Sequence, residues 1–181
     1  MNLPNSLTVL RILLIPFFVE FMIAGQYQWA LWTLLAAGVT DALDGAIARG
    51  MNQRTKLGAY LDPLADKLFM TAAFITLSVL HFVPGWVAIV VVSRDLIIVT
   101  GTLLLHLTQT PIVVAPTAIG KGTTLTQLAY LAVALALMAL QEDVRQLMPL
   151  LALMVMLTVG SGLHYVSRGV RAYQSHGAHG A

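Results

Sequence analysis

The sequence predicts an all-α integral membrane protein, and three observations support this fold class. The chain has 181 residues, of which 58% are hydrophobic and only 10% are charged, whereas about 25% of the residues of a soluble domain are charged. The mean hydropathy is +0.82. Apolar stretches of about 20 residues, the length needed to cross about 30 Å of hydrocarbon as a helix, recur along the whole chain.

Six transmembrane helices fit the pattern of apolar stretches and turn residues. Asn5 is an N-cap signal, Gly25 ends the first stretch, and Pro84 with Gly85 makes a tight turn. The predicted spans are about 5 to 25, 29 to 50, 58 to 81, 84 to 107, 117 to 140 and 147 to 170. We predict one transmembrane domain, residues 1–173, and a short polar tail, residues 174–181, which we expect to be disordered.

The basic residues are unevenly distributed between the two ends of these spans. One end carries Arg49, Arg54, Lys56, Lys121, Arg168 and Arg171, and the other end carries Arg145. Because basic residues concentrate on the cytoplasmic side, both termini and a polar cavity at that end are expected to face the cytoplasm.

Composition excludes some kinds of chemistry. The sequence has no cysteine, so it offers no thiolate nucleophile and no cysteine metal site. The net charge is only +2 and the ten basic residues are scattered, which argues against a nucleic acid partner.

Four of the eight acidic residues lie in the second and third predicted spans, where an ionised carboxylate costs at least about 2.5 kcal/mol at the bilayer centre. Asp41 and Asp44 are three residues apart, and Asp62 and Asp66 are four apart, so each pair lies on one face of its helix. The loop of residues 50–57 makes the two helices antiparallel neighbours, and the two acidic faces can meet across a cleft.

Four carboxylates in one cleft repel each other and need a cation among them. Oxygen ligands suit Mg²⁺ or Mn²⁺, and four acids are enough for two ions. Gly45, Ala48 and Gly58 leave room for a flat ligand, and Arg49 can bind a phosphate. The small residues can also serve close helix packing alone. Buried acids can equally form a proton relay or an ion path, so a cation or proton transporter remains an alternative at this point.

The spacing of these residues resembles a known signature. Residues 41–66 read Asp-x2-Asp-Gly-x2-Ala-Arg-x8-Gly-x3-Asp-x3-Asp. This pattern is similar at all eight fixed positions to that of the CDP-alcohol phosphotransferases. Pro4, Asn5, Thr8 and Arg11 look like the opening segment of that family, and six spans in this length match its size, so the resemblance covers essentially the whole chain.

The resemblance implies a function for each matching position. Asp41, Asp44 and Asp62 would bind two divalent metal ions, Mg²⁺ or Mn²⁺, and Asp66 would be both a metal ligand and the general base. The CDP-diacylglycerol site would be formed by Asn5, Thr8, Gly45, Ala48, Arg49 and Gly58. The implied reaction transfers a phosphatidyl group to a hydroxyl and releases CMP. The family resemblance also suggests a homodimer.

The acceptor depends on cations in the fourth and fifth spans. Arg94 and Lys121 are expected to bind the acceptor's phosphate. Phosphatidylglycerophosphate synthases usually carry further basic residues where this chain has Thr102 and Thr123, whereas cardiolipin synthases of this family resemble this chain there. Phosphatidylglycerol is therefore slightly favoured as the acceptor, with glycerol 3-phosphate as the alternative. Asp95 is expected to pair with Arg94.

Two other classes of protein fit less well. An intramembrane prenyltransferase also uses aspartates and Mg²⁺, but by resemblance it would need a much longer chain. A cation or proton transporter would need polar residues through the outer half of the bundle, where the second and third spans are almost wholly apolar.

Overall fold

The computed structural model describes the backbone of residues 3–50, 56–107 and 118–177, and the side chains of residues 6–43, 64–101 and 119–168. Within these ranges the protein consists of six α-helices and one short 3₁₀ helix, with no strand. The helices are α1 (Leu3–Ile23), α2 (Tyr27–Gly50), α3 (Lys56–Val79), α4 (Gly85–Leu107), α5 (Ala118–Ala139) and α6 (Met148–Gly177), with the 3₁₀ helix Val144–Leu147 before α6.

The predicted all-α fold is confirmed, and each predicted span coincides with one helix to within a few residues at most ends. The main difference is at the C-terminus, where α6 continues to Gly177. The helix therefore includes the first four residues of the segment predicted as a disordered tail, and residues 178–181 lie outside the described residues. The domain boundary at residue 173 stays a prediction.

Three helical segments are long and apolar enough to cross a membrane, judged over the side chains that the structure describes. They are Ser6–Ile23, Ile119–Ala139 and Val144–Arg168, with mean hydropathies of 2.0, 1.5 and 1.8. The helices α2, α3 and α4 each include side chains outside the described ranges. An integral membrane protein is thus supported, and the number of six spans stays a prediction.

Three helices end in the same hydrogen-bonded turn. The second residue beyond α1, α3 and α5 has a positive φ: Gly25 at 69°, His81 at 61° and Gln141 at 59°. At Gln141 the backbone N–H donates to the carbonyl of Met138, and the next N–H donates to the carbonyl of Leu137. This is the Schellman pattern, in which glycine is the usual residue at the positive-φ position. His81 and Gln141 occupy it here at a conformational cost.

Contacts divide the chain into two compact units. The first unit comprises Met1–Gly85 and Leu131–Gln146. Within it α1 packs against α2 and α3, and the rings of Phe18 and Phe69 lie 5.1 Å apart. Its packed centre is largely apolar, with Phe18, Met22, Ala30, Phe74, Leu77 and Leu135 among the buried side chains.

The second unit comprises Trp86–Tyr130 and Leu147–Ala181. Its centre contains several buried polar side chains that connect its helices. Gln127 on α5 donates a hydrogen bond to the hydroxyl of Thr158 on α6 at 3.1 Å, and the Tyr165 hydroxyl on α6 donates to the carbonyl of Ile98 on α4 at 3.3 Å. Such hydrogen bonds offset part of the cost of burying polar groups.

Candidate active site

A buried arginine joins three helices of the first unit. Arg11 lies on α1, and only 1% of its side chain is exposed. Its Nη2 lies 3.1 Å from Oδ1 of Asp41 on α2, and its Nη1 lies 3.2 Å from Oδ1 of Asp66 on α3. One guanidinium thus holds a carboxylate from each of the two helices that carry the acidic signature.

Solvent reaches both of these carboxylates. The side chains of Asp41 and Asp66 are each 47% exposed, although the guanidinium that they contact is buried. Carboxylate oxygens are the ligands that Mg²⁺ and Mn²⁺ prefer, and these two come close together from separate helices. The described part of the site therefore fits a divalent cation in donor type.

Most other residues of the predicted site lie on the same three helices, but their side chains are outside the described ranges. On α2 these are Asp44, Gly45, Ala48 and Arg49, on α3 they are Gly58 and Asp62, and on α1 it is Asn5. The helical backbone places Asp44 about one turn after Asp41 and Asp62 about one turn before Asp66. Among the residues whose side chains the structure describes, no three potential metal ligands lie together in one cluster.

Thr8 was predicted to contact the nucleotide, and its side chain is fully buried. It lies three residues before Arg11 and therefore on the same face of α1. Its role in binding stays a prediction.

The sequence indicates Arg11 only as part of an opening segment and predicts no role for it. A signal was present, because Arg11 lies inside the apolar window Ser6–Ile23. A cation in such a window needs an anionic partner, and the nearest acidic signature was the obvious source. What the sequence could not indicate was which of the four aspartates would contact it.

The second unit contains another buried arginine, which was predicted to bind the acceptor. Arg94 is 5% exposed, and its Nη1 donates a hydrogen bond to Oδ1 of Asp95 at 2.7 Å. The prediction that Asp95 pairs with Arg94 is confirmed. Its Nη2 donates to the hydroxyl of Ser161 on α6 at 3.1 Å. The sequence gives no indication of this contact, because Ser161 and Arg94 are 67 residues apart along the chain.

Two further positions of the acceptor prediction differ in exposure, and the side chain of a third, Thr102, lies outside the described ranges. Lys121, near the start of α5, is exposed. Thr123 is fully buried, and its hydroxyl lies 2.9 Å from the carbonyl oxygen of Ile119 and 3.1 Å from that of Leu157 on α6. Position 123 therefore serves packing between α5 and α6 in this protein.

Comparison with known proteins identifies the chain. The family model described as CDP-alcohol phosphatidyltransferase matches residues 1–159. The chain belongs to this family. The resemblance found in the acidic signature is thereby confirmed, and the protein is a transferase of phospholipid biosynthesis.

The relatives carry two different names. The chain is 39% identical over 143 residues to a CDP-diacylglycerol–glycerol-3-phosphate 3-phosphatidyltransferase of Bacillus subtilis, covering 70% of this chain and 72% of the relative. It is 33% identical over 177 residues to a probable phosphatidylglycerophosphate synthase of Mycobacterium tuberculosis, covering 94% and 82%. It is 36% identical over 125 residues to a putative cardiolipin synthase of the same species, covering 68% and 59%. Family membership thus fixes the reaction class and leaves the acceptor open.

Proposed function

We infer that this phosphatidyltransferase moves the phosphatidyl group of CDP-diacylglycerol to a hydroxyl of a glycerol-based acceptor, with release of CMP and in dependence on divalent metal. The observation that supports this most strongly is the convergence of Asp41 and Asp66 on Arg11. These two half-exposed carboxylates come from two helices and lie at positions of the family signature. They provide two of the ligands that metal-assisted phosphoryl transfer requires.

Asp66 is the proposed general base. Its carboxylate takes the proton from the acceptor hydroxyl as the oxygen attacks the phosphorus of the phosphatidyl group. The new phosphorus–oxygen bond forms, the bond from that phosphorus to the CMP oxygen breaks, and CMP leaves with the bonding electrons. The proton passes from Asp66 to solvent, which its half-exposed side chain allows. No covalent enzyme intermediate is needed.

Asp41, Asp44, Asp62 and Asp66 are the proposed ligands of two ions, Mg²⁺ or Mn²⁺. When bound, the ions would neutralise the diphosphate of the donor and the charge that develops on the leaving CMP. Gly45, Ala48 and Gly58 are proposed to leave room for the cytidine, and Arg49 to bind the diphosphate as a charged fork. Asn5 and Thr8 complete the proposed donor site.

Phosphatidylglycerol is the proposed acceptor, which makes the product cardiolipin. Arg94 and Lys121 are the basic residues in the sequences of α4 and α5, and Asp95 already offsets the charge of Arg94. The remaining positive charge suits a phosphodiester better than the dianionic phosphate of glycerol 3-phosphate. Glycerol 3-phosphate is the second candidate, because the Bacillus subtilis relative bears the name of an enzyme that uses it.

The lipid product decides between these acceptors. The purified protein in detergent is incubated with labelled CDP-diacylglycerol, Mg²⁺, and either phosphatidylglycerol or glycerol 3-phosphate, and the labelled lipids are separated. We expect cardiolipin with the first acceptor and little phosphatidylglycerophosphate with the second. Rapid phosphatidylglycerophosphate formation without cardiolipin would assign the second acceptor. No lipid product with either, while the protein remains folded, would contradict the proposed function.

We propose six membrane spans with both termini and the site on the cytoplasmic side of a bacterial inner membrane, and a homodimer as the functional form. Because the sequence has no cysteine, a single introduced cysteine reports on its own position. A cysteine at Gln53, which lies outside the described residues, should react with a membrane-impermeant thiol reagent only from the inside. A cysteine at Gln141 should react only from the outside, and the reverse pattern would refute the orientation.

A further inference from the structure

The face of α1 that packs against α2 and α3 carries a charge. Thr8, Arg11, Phe18 and Met22 recur at helical spacing and are all buried, with no more than 1% of each residue exposed. Phe18 and Met22 make an ordinary apolar seam, and Phe18 contacts Phe69 of α3. At Arg11 the same seam reaches the carboxylates of Asp41 and Asp66.

We propose that Arg11 is a built-in counter-ion, which holds Asp41 and Asp66 together in the metal-free protein and weakens the affinity of the site for metal. This inference rests on the proposed function, in which the two aspartates bind the metal ions. Arg11 is a positioning residue in this account. Its guanidinium fixes where two carboxylates from different helices stand before an ion arrives.

The burial pattern separates this role from direct contact with substrate. Both terminal nitrogens of Arg11 face carboxylates, and the side chain is 1% exposed, whereas each carboxylate is 47% exposed. A ligand that approaches from solvent therefore meets Asp41 and Asp66 before it meets Arg11. Arg11 stands behind them, on the side of the packed helices.

The charge of Arg11 has two opposite consequences. Without it, and without metal, the two carboxylates would repel each other between α2 and α3, so the metal-free protein would lose stability. With metal present, the cation of Arg11 repels the incoming cation, so its removal should strengthen metal binding. If Arg11 only filled space between the helices, its removal would lower stability equally with and without metal. Its removal would then leave metal affinity unchanged.

The test uses the full-length protein in detergent. The variants are Arg11→Met, which keeps an unbranched side chain and removes the charge, and Arg11→Lys, which keeps the charge and removes the fork. Arg145→Met is the matched control, because Arg145 is an exposed arginine on the 3₁₀ helix. Thermal unfolding is measured in chelator and in saturating Mn²⁺, and Mn²⁺ affinity is measured by titration.

In chelator, Arg11→Met should unfold about 5 °C or more below the unsubstituted protein. In saturating Mn²⁺ the difference should become smaller, and the Kd for Mn²⁺ should fall about 10-fold or more. In chelator, the unfolding midpoint of Arg11→Lys should lie between the midpoints of Arg11→Met and the unsubstituted protein. Arg145→Met should change neither the unfolding midpoint nor the Kd for Mn²⁺. Equal destabilisation in both conditions, or an unchanged or weaker Mn²⁺ affinity, would overturn the proposal.

A second variant keeps the test decisive if Arg11→Met does not fold without metal. In the double variant Arg11→Met with Asp41→Asn the repulsion is gone, so metal-free stability should exceed that of Arg11→Met alone. Absence of this rescue would also overturn the proposal. Mn²⁺ affinity and thermal unfolding can be measured without turnover. If the unsubstituted protein makes no lipid product, the proposed function is contradicted. The counter-ion role still holds in that case if the variants show the predicted changes in Mn²⁺ affinity and stability.

Discussion

Ser161 on α6 accepts a hydrogen bond from Nη2 of Arg94 on α4, at a distance of 3.1 Å. Asp95 accepts a hydrogen bond from Nη1 of the same guanidinium. Asp95 and Ser161 together therefore fix the orientation of the guanidinium. A Cβ at the neighbouring Gly162 would lie 3.6 Å from Cγ of Arg94, which is an ordinary van der Waals contact, so this approach does not depend on the glycine. If Arg94 binds the acceptor's phosphate, Ser161 sets the orientation in which it does so.

Replacing Ser161 by alanine should therefore weaken acceptor binding. A hydrogen bond to a charged group contributes about 1.5 to 3 kcal/mol, so we expect the acceptor KM to rise about 10-fold or more while kcat and the KM for CDP-diacylglycerol change little. Ser167→Ala is the control, because Ser167 lies on the same helix, is exposed, and donates only to the carbonyl of His164. An unchanged acceptor KM in Ser161→Ala would show that Ser161 supports packing alone.

Asp66→Asn should separate binding from turnover. The amide can still ligate an ion weakly but cannot take a proton, and a general base typically contributes 10²- to 10⁴-fold to the rate. We expect a loss of turnover in that range with CDP-diacylglycerol affinity largely kept, measured by steady-state kinetics and by binding of the nucleotide lipid. Glu142→Gln, a change at an exposed acid beyond α5, should leave both quantities unchanged. Normal turnover in Asp66→Asn would remove Asp66 as the base.

The helices could be predicted because local sequence determines them. Each apolar stretch of about 20 residues became one helix, and the breaks fell at Gly25 and at the Pro84 and Gly85 pair. The C-terminal boundary was less certain, since polar residues such as Gln174 continue a helix readily once a long apolar segment has begun it. The pattern of hydrophobicity could not reveal that contacts cluster into two units.

Gln141→Gly should stabilise the protein. Gln141 has a φ of 59° at the end of α5, a region in which a residue with a Cβ is strained and glycine is not. The expected gain is about 1 kcal/mol, which corresponds to about 2 to 4 °C in the midpoint of thermal unfolding for a chain of this size. Gln146→Gly in the 3₁₀ helix, where φ is not positive, should bring no gain. A lower midpoint for Gln141→Gly would contradict the Schellman interpretation.

Gly101→Ala and Gly122→Ala should differ in their effect on stability. Both glycines lie in helices, where alanine is favoured by about 1 kcal/mol. A Cβ at Gly122 would meet nothing within 4 Å, whereas one at Gly101 would lie 3.0 Å from Cε1 of Tyr165. The ring would have to move and strain its hydrogen bond to Ile98. We expect Gly101→Ala to be less stable than Gly122→Ala by about 1 kcal/mol in thermal unfolding, and equal stabilities would show that the ring yields freely.

The spacing of the four aspartates can be read from the sequence, whereas the contacts of Arg11 and Ser161 could not be predicted from it. The spacing of Asp41, Asp44, Asp62 and Asp66 follows from helical periodicity, which sequence shows directly. Arg11 contacts residues 30 and 55 positions away, and Ser161 contacts one 67 positions away. Such contacts depend on how helices pack, and no local pattern records them. Thr123 illustrates the same limit, since its hydroxyl contacts the carbonyl oxygen of Leu157, 34 positions away on α6.

The most direct test of the account is the metal dependence of CMP release from CDP-diacylglycerol. The purified protein is stripped of metal with chelator, assayed with phosphatidylglycerol and with glycerol 3-phosphate, and assayed again after Mg²⁺ or Mn²⁺ is restored. We predict that CMP release falls to background without metal and returns when either ion is added, because the clustered carboxylates cannot hold the donor's diphosphate by themselves. Full CMP release after exhaustive removal of metal would contradict the central claim.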